Sequence, residues 1–153
     1  MSDNEEKIIR EAMTRLLATR EHSRQELLNK LLNRGMDAAL CLSMLDEFAE
    51  LGLQSDQRFA EVLVRSRAAK GYGQQRIRAE LREHGIKDDL IGLAFDEQSI
   101  DWFELAKDVM QKKFGQAEAN PDWKEQQKRN RFLQYRGFSF DQIRYANQFD
   151  KDD

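Results

Sequence analysis

The chain has 153 residues, 25 Lys and Arg against 28 Asp and Glu, and a net charge of −3, a length that suits a single domain with a core of its own. Apolar residues make up 40% and charged residues 35%, the latter well above the usual quarter, so a large solvated surface surrounds a modest core. Valine occurs only at 62, 64 and 109 and threonine only at 14 and 19, which starves a sheet of β-branched residues and excludes an all-β fold.

A single proline, Pro121, and long runs of Leu, Ala, Glu, Lys, Arg and Gln predict an all-α protein. The first helical stretch carries Ile9, Met13, Leu16 and Leu17 on one face. Ser23 with Glu26 three residues on forms a capping box that starts a second helix. Leu31 then stands four residues ahead of Gly35, Met36 follows the glycine, and Asp37 caps a third helix whose face includes Cys41, Met44, Leu45 and Phe48.

The same punctuation returns twice. Leu81, Gly85, Ile86 and Ile91 repeat the order of Leu31, Gly35, Met36 and Cys41, and so do Leu133, Gly137, Phe138 and Ile143, with the glycines 50 and 52 residues apart. A left-handed glycine behind the last helical turn, with an apolar residue after it, stops one helix and aims the next. Ahead of each later pair runs another amphipathic stretch, Phe59, Val62, Leu63 and Ser66 in one case and Trp102, Leu105, Ala106, Val109 and Met110 in the other. Gly52, Gly71 and Gly115 close further helices, and Ser139 stands ready to cap the last.

The expected architecture is therefore three tandem three-helix repeats, residues 1–53, 54–98 and 99–153, the third with an inserted loop near 115–122 around Asn120-Pro121 and a frayed end at 150–153. Stacked repeats of this size predict an elongated, curved body.

No chemistry-bearing set emerges from the pattern. His22 and His84 lack the His, Cys or Asp neighbours of a metal site, so no metal and no cofactor is expected. The lone Cys41 rules out an intramolecular disulfide, and its apolar helix face is a poor place to ionise a thiol. Gly71-Tyr72-Gly73 does not follow a strand and lacks the remaining residues of a phosphate loop. The protein reads as a non-enzyme. Met1 to Glu6 lacks the basic, then apolar, then small-residue order of a secretory leader, and no run of eighteen apolar residues occurs; the expectation is a cytoplasmic monomer with no membrane contact.

Charge distribution is the distinctive signal. Between Arg65 and Arg82 stand Arg65, Arg67, Lys70, Arg76, Arg78 and Arg82 against one acid, Glu80. Between Lys124 and Arg136 stand Lys124, Lys128, Arg129, Arg131 and Arg136 against Glu125. Tyr72 sits within the first patch as an anchor for stacking. Arg65, Arg67, Lys70, Tyr72, Arg76, Arg78, Arg82, Lys128, Arg129, Arg131 and Arg136 are thus the candidate contacts to a partner or to nucleic acid, the plain alternative being a solvated helix face.

The stretch from Asp56-Gln57-Arg58-Phe59 through Arg65-Ser66-Arg67-Ala68-Ala69-Lys70-Gly71-Tyr72-Gly73 to Gly85-Ile86 resembles the central signature of the RecX family. Arg20-Glu21-His22-Ser23-Arg24-Gln25-Glu26-Leu27 resembles its N-terminal motif, and Arg131-Phe132-Leu133-Gln134-Tyr135-Arg136-Gly137-Phe138 its C-terminal one. The motifs span almost the whole chain. Two positions depart from the family pattern: Gly52-Leu53-Gln54-Ser55-Asp56 lacks an aromatic residue and one acid, and Gln74 replaces a frequent proline.

The resemblance implies a regulator of DNA recombination and repair in the SOS response. Such a protein binds the RecA recombinase filament on single-stranded DNA and restrains its ATP hydrolysis, strand exchange and growth. Contact with bare single- or double-stranded DNA is then expected to be weak and salt-sensitive, because the patches are local on a negative chain. A stand-alone DNA-binding protein of helix-turn-helix type is the alternative, prompted by the helix pairs at Gly35, Gly85 and Gly137.

Overall fold

The computed structural model describes residues 2–115 and 122–152, with side chains from 4 to 115 and from 122 to 148. Among the described residues there are nine helices and no strand: α1 Ser2–Thr19, α2 Arg24–Asn33, α3 Ala38–Glu50, α4 Asp56–Ala69, α5 Gln74–Glu83, α6 Asp88–Asp96, α7 Trp102–Phe114, α8 Trp123–Tyr135 and α9 Phe140–Asp152. They follow one another as three triplets, and the predicted all-α repeat is the observed fold class.

Backbone hydrogen bonds explain the punctuation. Met36, Ile86 and Phe138 each donate their N–H to the carbonyl of Leu31, Leu81 and Leu133, at 3.2, 3.1 and 3.1 Å. The glycine ahead of each donates to the residue after the leucine, Gly35 to Leu32 at 2.9 Å for example. This is the Schellman closure, in which the residue beyond the glycine also packs on the residue whose carbonyl it caps. It requires φ of 80°, 77° and 98° at Gly35, Gly85 and Gly137.

Helix starts are equally local. Ser23 and Glu26 exchange the two bonds of a capping box, Ser139 and Gln142 do the same before α9, and Asp37, Asp101 and Asp122 cap α3, α7 and α8. At the departure from the family pattern, Ser55 Oγ accepts the Arg58 N–H at 3.1 Å and starts α4.

The chain gathers into two compact units, one formed by Met1–Val62 with Leu81–Phe95, the other by Leu63–Glu80 with Asp96–Asp153. The helix triplets do not coincide with these units, since α4 and α5 each contribute to both. In the first unit, Ile9, Met13, Leu27, Leu31, Cys41, Leu45 and Phe48 form a buried cluster. Around it the loop before α2 is tied to the start of α4. Asp56 Oδ1 accepts the Arg24 N–H at 2.8 Å, and buried Gln54 donates to the His22 carbonyl at 3.3 Å. His84 packs edge-on against Phe59, with ring centroids 5.0 Å apart.

In the second unit the buried set is Ala106, Met110, Leu133, Phe138, Ile143 and Ala146, where α7 lies along α9. Gly115 and Asp122 bound α7 and α8; the rest of the predicted loop, residues 116–121, lies outside the described residues. The backbone of α9 stays helical through Asp152, beyond the point where fraying is predicted. One helix face also needs correction. On α4 the buried residues are Phe59, Ala60, Leu63, Val64 and Ala68, while Val62 is 42% exposed and Ser66 only half-buried. Ala60 and Ala68 complete the buried stripe, which lies rotated away from Val62.

Candidate functional site

The short link between α4 and α5 sets the geometry of the basic region. Gly71 stops α4 with φ 89°, and the Tyr72 N–H returns to the Arg67 carbonyl at 3.0 Å. That closure swings the Tyr72 ring outward beside α5. Gly73 follows with its N–H donated to the Arg136 carbonyl at 2.7 Å, and the Gln75 N–H is donated to the Gly137 carbonyl at 3.1 Å. The amino end of α5 is thus satisfied by the carboxyl end of α8, which covers the orphan donors of a helix start.

This joint leaves no room for side chains. A Cβ on Gly73 would lie 2.5 Å from the Gly137 carbonyl carbon and oxygen, and one on Gly137 would lie 2.6 Å from the Arg76 backbone nitrogen. Gln74, where the family often has proline, can spare its N–H in the first turn and meets the Gln142 side chain at 3.5 Å. Within the first unit Gly85 faces the start of α2, where an added Cβ would meet the flexible Gln25 side chain rather than backbone. Gly35 has open space around it.

The joint brings parts of the two predicted patches together. The Arg76 guanidinium lies 4.3 Å from the Tyr72 ring centroid and 5.1 Å from that of Tyr135. Arg136 approaches Tyr72 at 4.8 Å and Phe132 at 5.1 Å, and its Nη1 donates to the Lys70 carbonyl at 3.0 Å. Each cation over a ring contributes about 0.5–1 kcal/mol at an exposed site. Beside Arg136 a cleft of about 390 Å³ has Leu105, Val109 and Phe132 as apolar lining, with Lys70, Lys112 and Lys113 among its charged residues. The arrangement offers flat cationic and aromatic faces together, suited to carboxylates, phosphates or rings of a macromolecular partner.

Not every predicted contact residue is placed for that role. Arg129 is buried, its side chain 4% exposed, with Nε 3.4 Å from Glu125 and the guanidinium 5.4 Å from the Phe114 centroid. It holds α8 to the unit core, because a long cation reaching inward is tolerated only when paired. Arg67 forms a two-pronged pair with Glu80, at 2.9 and 2.7 Å, and those hydrogen bonds raise the guanidinium above its ordinary range. Arg82 pairs with Asp88 at 3.3 Å in the first unit. Arg78 is half-buried, whereas Arg65, Lys70, Lys128 and Arg131 are exposed.

Tyr135, 75% exposed, is the contributor that sequence reading missed. Its signal was its place beside Arg136 in the C-terminal motif. Elsewhere, burial pushes the Cys41 thiol up, as expected of a small hydrophobe. Among the described residues no group of three His, Cys, Asp or Glu could hold a metal ion, and no helix is long and apolar enough to cross a membrane.

Comparison with known proteins agrees with the arrangement of the helices. Residues 55–94 match the family model for the second three-helix domain of RecX and residues 99–146 that for the third. The chain is 44% identical over 138 residues to the regulatory protein RecX of Halorhodospira halophila, covering 90% of this chain and 85% of the relative. With the regulatory protein RecX of Chromohalobacter salexigens it shares 44% over 137 residues, 90% of this chain and 89% of that one. The crystal structure of RecX from Lactobacillus salivarius superposes with a TM-score of 0.84 at 21% identity, covering 99% of both chains, a likeness of fold. Two domain matches in sequence order, relatives aligned over nine-tenths of the chain and the same helical path leave one conclusion: this chain is a member of the RecX family of regulatory proteins.

Proposed function

We propose that the protein binds the filament of the RecA recombinase on single-stranded DNA and inhibits its ATP hydrolysis, strand exchange and extension, acting in the cytoplasm as a monomer without catalysis of its own. Membership of a family of regulatory proteins supports the reading. The observation that carries it to particular residues is the Tyr72, Arg76, Tyr135 and Arg136 cluster. Its stacked cations need little further ordering on binding, which lowers the entropic cost of association. A ligand restrains turnover without chemistry when it favours one state of its target, and only by the difference in its affinity for the two.

The three-repeat division near residues 53 and 98 is part of this proposal, as is a weak contact with bare DNA through exposed Arg65, Lys70, Lys128 and Arg131. Stand-alone reading of duplex DNA by the second helix of a pair finds less support. Such helices present their first turn to the bases, and here α3 begins behind Asp37 while α6 opens with Asp88 and Asp89, which repel phosphates.

The test is ATP hydrolysis by recombinase filaments on single-stranded DNA, titrated with the parent and with Lys70→Glu/Arg76→Glu. The parent is expected to inhibit, and the double variant to lose at least tenfold in potency with its helix content retained. Failure of the parent to slow hydrolysis, with binding absent in a pull-down, would overturn the proposal.

A further inference from the structure

The cleft beside Arg136 has two features that the stacked cluster around Tyr72 does not explain, an apolar floor and an excess of cations at its rim. Leu105 and Val109 stand one turn apart on α7 and line the cleft with Phe132 of α8. All three are half-buried, packed against the second unit's core yet still open to solvent on the cleft side. Apolar side chains left partly wet together in a concave site mark a seat for a partner. The walls are held in place. Gly71 at the end of α4 lies so near α7 that an added Cβ would be 3.0 Å from Val109 Cγ2, and the Arg136 guanidinium ties α8 to the Lys70 carbonyl. The seat is thus formed before anything fills it, which spares a ligand the cost of ordering it. Charge at the rim is one-sided: Lys70, Lys112, Lys113 and Arg136 stand against Asp108. Among the described residues none of the three lysines, all exposed, forms an ion pair.

We infer that this cleft receives an acidic segment of a protein partner, with one bulky apolar side chain seated on Leu105, Val109 and Phe132 and the flanking carboxylates paired with Lys70, Lys112 and Lys113. On the filament reading, on which this source alone rests, the segment belongs to the recombinase. The volume, about 390 Å³, suits one large anchor side chain. Carboxylates before and after the anchor then meet the lysines, whose charge no neighbouring acid of the fold neutralises. A nucleic-acid strand matches less well. Its phosphates recur at every nucleotide and one would meet Asp108, whereas the carboxylates of a peptide can be spaced around that acid. Leu105 and Val109 offer no ring for a base to stack on. The Phe132 ring is already engaged by Arg136 at 5.1 Å, by Lys113 at 5.6 Å and edge-on by Phe114 at 5.5 Å, so it serves as floor rather than as a stacking platform.

The experiment is fluorescence anisotropy with a short dye-labelled peptide that carries one phenylalanine between glutamates, followed by the recombinase ATP hydrolysis assay with the same peptide, unlabelled, as competitor. The parent should bind at low salt, and a peptide with glycine for phenylalanine should bind about tenfold more weakly, the loss of one buried aromatic side chain. Lys112→Gln/Lys113→Gln, at exposed positions, should weaken binding about fivefold through two lost ion pairs. Lys7→Gln/Arg15→Gln, an equal loss of charge at exposed positions on α1, should bind like the parent. The phenylalanine peptide, and not the glycine one, should release ATP hydrolysis from inhibition. Five results would each overturn the assignment: no binding by the parent, equal binding of the glycine peptide, equal binding by Lys112→Gln/Lys113→Gln, inhibition undiminished by saturating peptide, or displacement of the labelled peptide by less of a thymidine oligonucleotide than of unlabelled peptide, which would make the cleft a nucleic-acid site. Failure of the filament reading looks different. A parent that binds the peptide through Lys112 and Lys113 yet does not slow hydrolysis supports the cleft and removes the recombinase as its source.

Discussion

Glycine 137 has two roles that substitutions can separate. Gly35 needs only its positive φ, having open space where a Cβ would go, so Gly35→Ala should cost about 1–2 kcal/mol for an L-residue in the left-handed region. Gly137→Ala carries that strain and drives a Cβ into the Arg76 backbone; it should destabilise by clearly more in urea unfolding. Gly73, whose φ is not positive, isolates the steric part, and Gly73→Ala should fall between the two or above. At the same scale, His22 is buried, with its ring Nδ1 3.0 Å from the Arg20 carbonyl and Nε2 3.4 Å from Lys30 Nζ. A neutral ring with its proton on Nδ1 satisfies both contacts. Burial pushes its pKa below the usual 6.5, so the folded state binds fewer protons there than the unfolded one. The stability that follows is full above 6.5 and is lost as pH falls through the depressed folded value. Unfolding free energies measured at about pH 7.5 and about pH 5.5 should drop more steeply for the parent than for His22→Gln.

Among the helices, α4 and α5 are linked by Arg67 on one and Glu80 on the other, a half-buried two-pronged pair. Lysine cannot reproduce the fork. Arg67→Lys should therefore lower stability by about 0.5–1 kcal/mol, the upper part of the range for partly exposed pairs, while leaving inhibition of the recombinase unchanged. The elements themselves were legible in the sequence because their determinants are local: the leucine and glycine four residues apart, the Ser23 capping box and the aspartate caps each act within one turn. The stripe on α4 was misjudged at Val62 because a 3.6-residue period admits neighbouring faces, and only the partner helices select one. Likewise, nothing local says that Gly73 will meet Gly137, or that Arg129 will turn inward to Glu125 and Phe114. The basic region was readable as charge, whereas its assembly around Tyr72 and Tyr135 depends on contacts between residues about sixty positions apart in the chain.

For the molecule as a whole, a net charge of −3 sets local cationic patches against a negative background, so affinity for bare duplex DNA should be low and should fall steeply with salt, without sequence preference. Gel shifts at low and physiological salt would show it. The compact units divide inside α4, at Val62, and inside α5, at Glu80, rather than in the links between triplets. Thermal unfolding should accordingly appear as one transition by circular dichroism, since melting either unit removes turns from helices that the other requires. A protease behaves differently: it enters at exposed link residues such as Leu51 and Leu53, and a cut there parts Met1–Leu53 from Gln54–Val62 and Leu81–Phe95, segments of its own compact body. The peptide bond is broken where the fold is not divided. A nicked chain should therefore migrate intact on a native gel and separate only in denaturant, and the fragment Met1–Leu53 expressed alone should gain helical structure when mixed with the remainder of the chain, which carries the second unit whole.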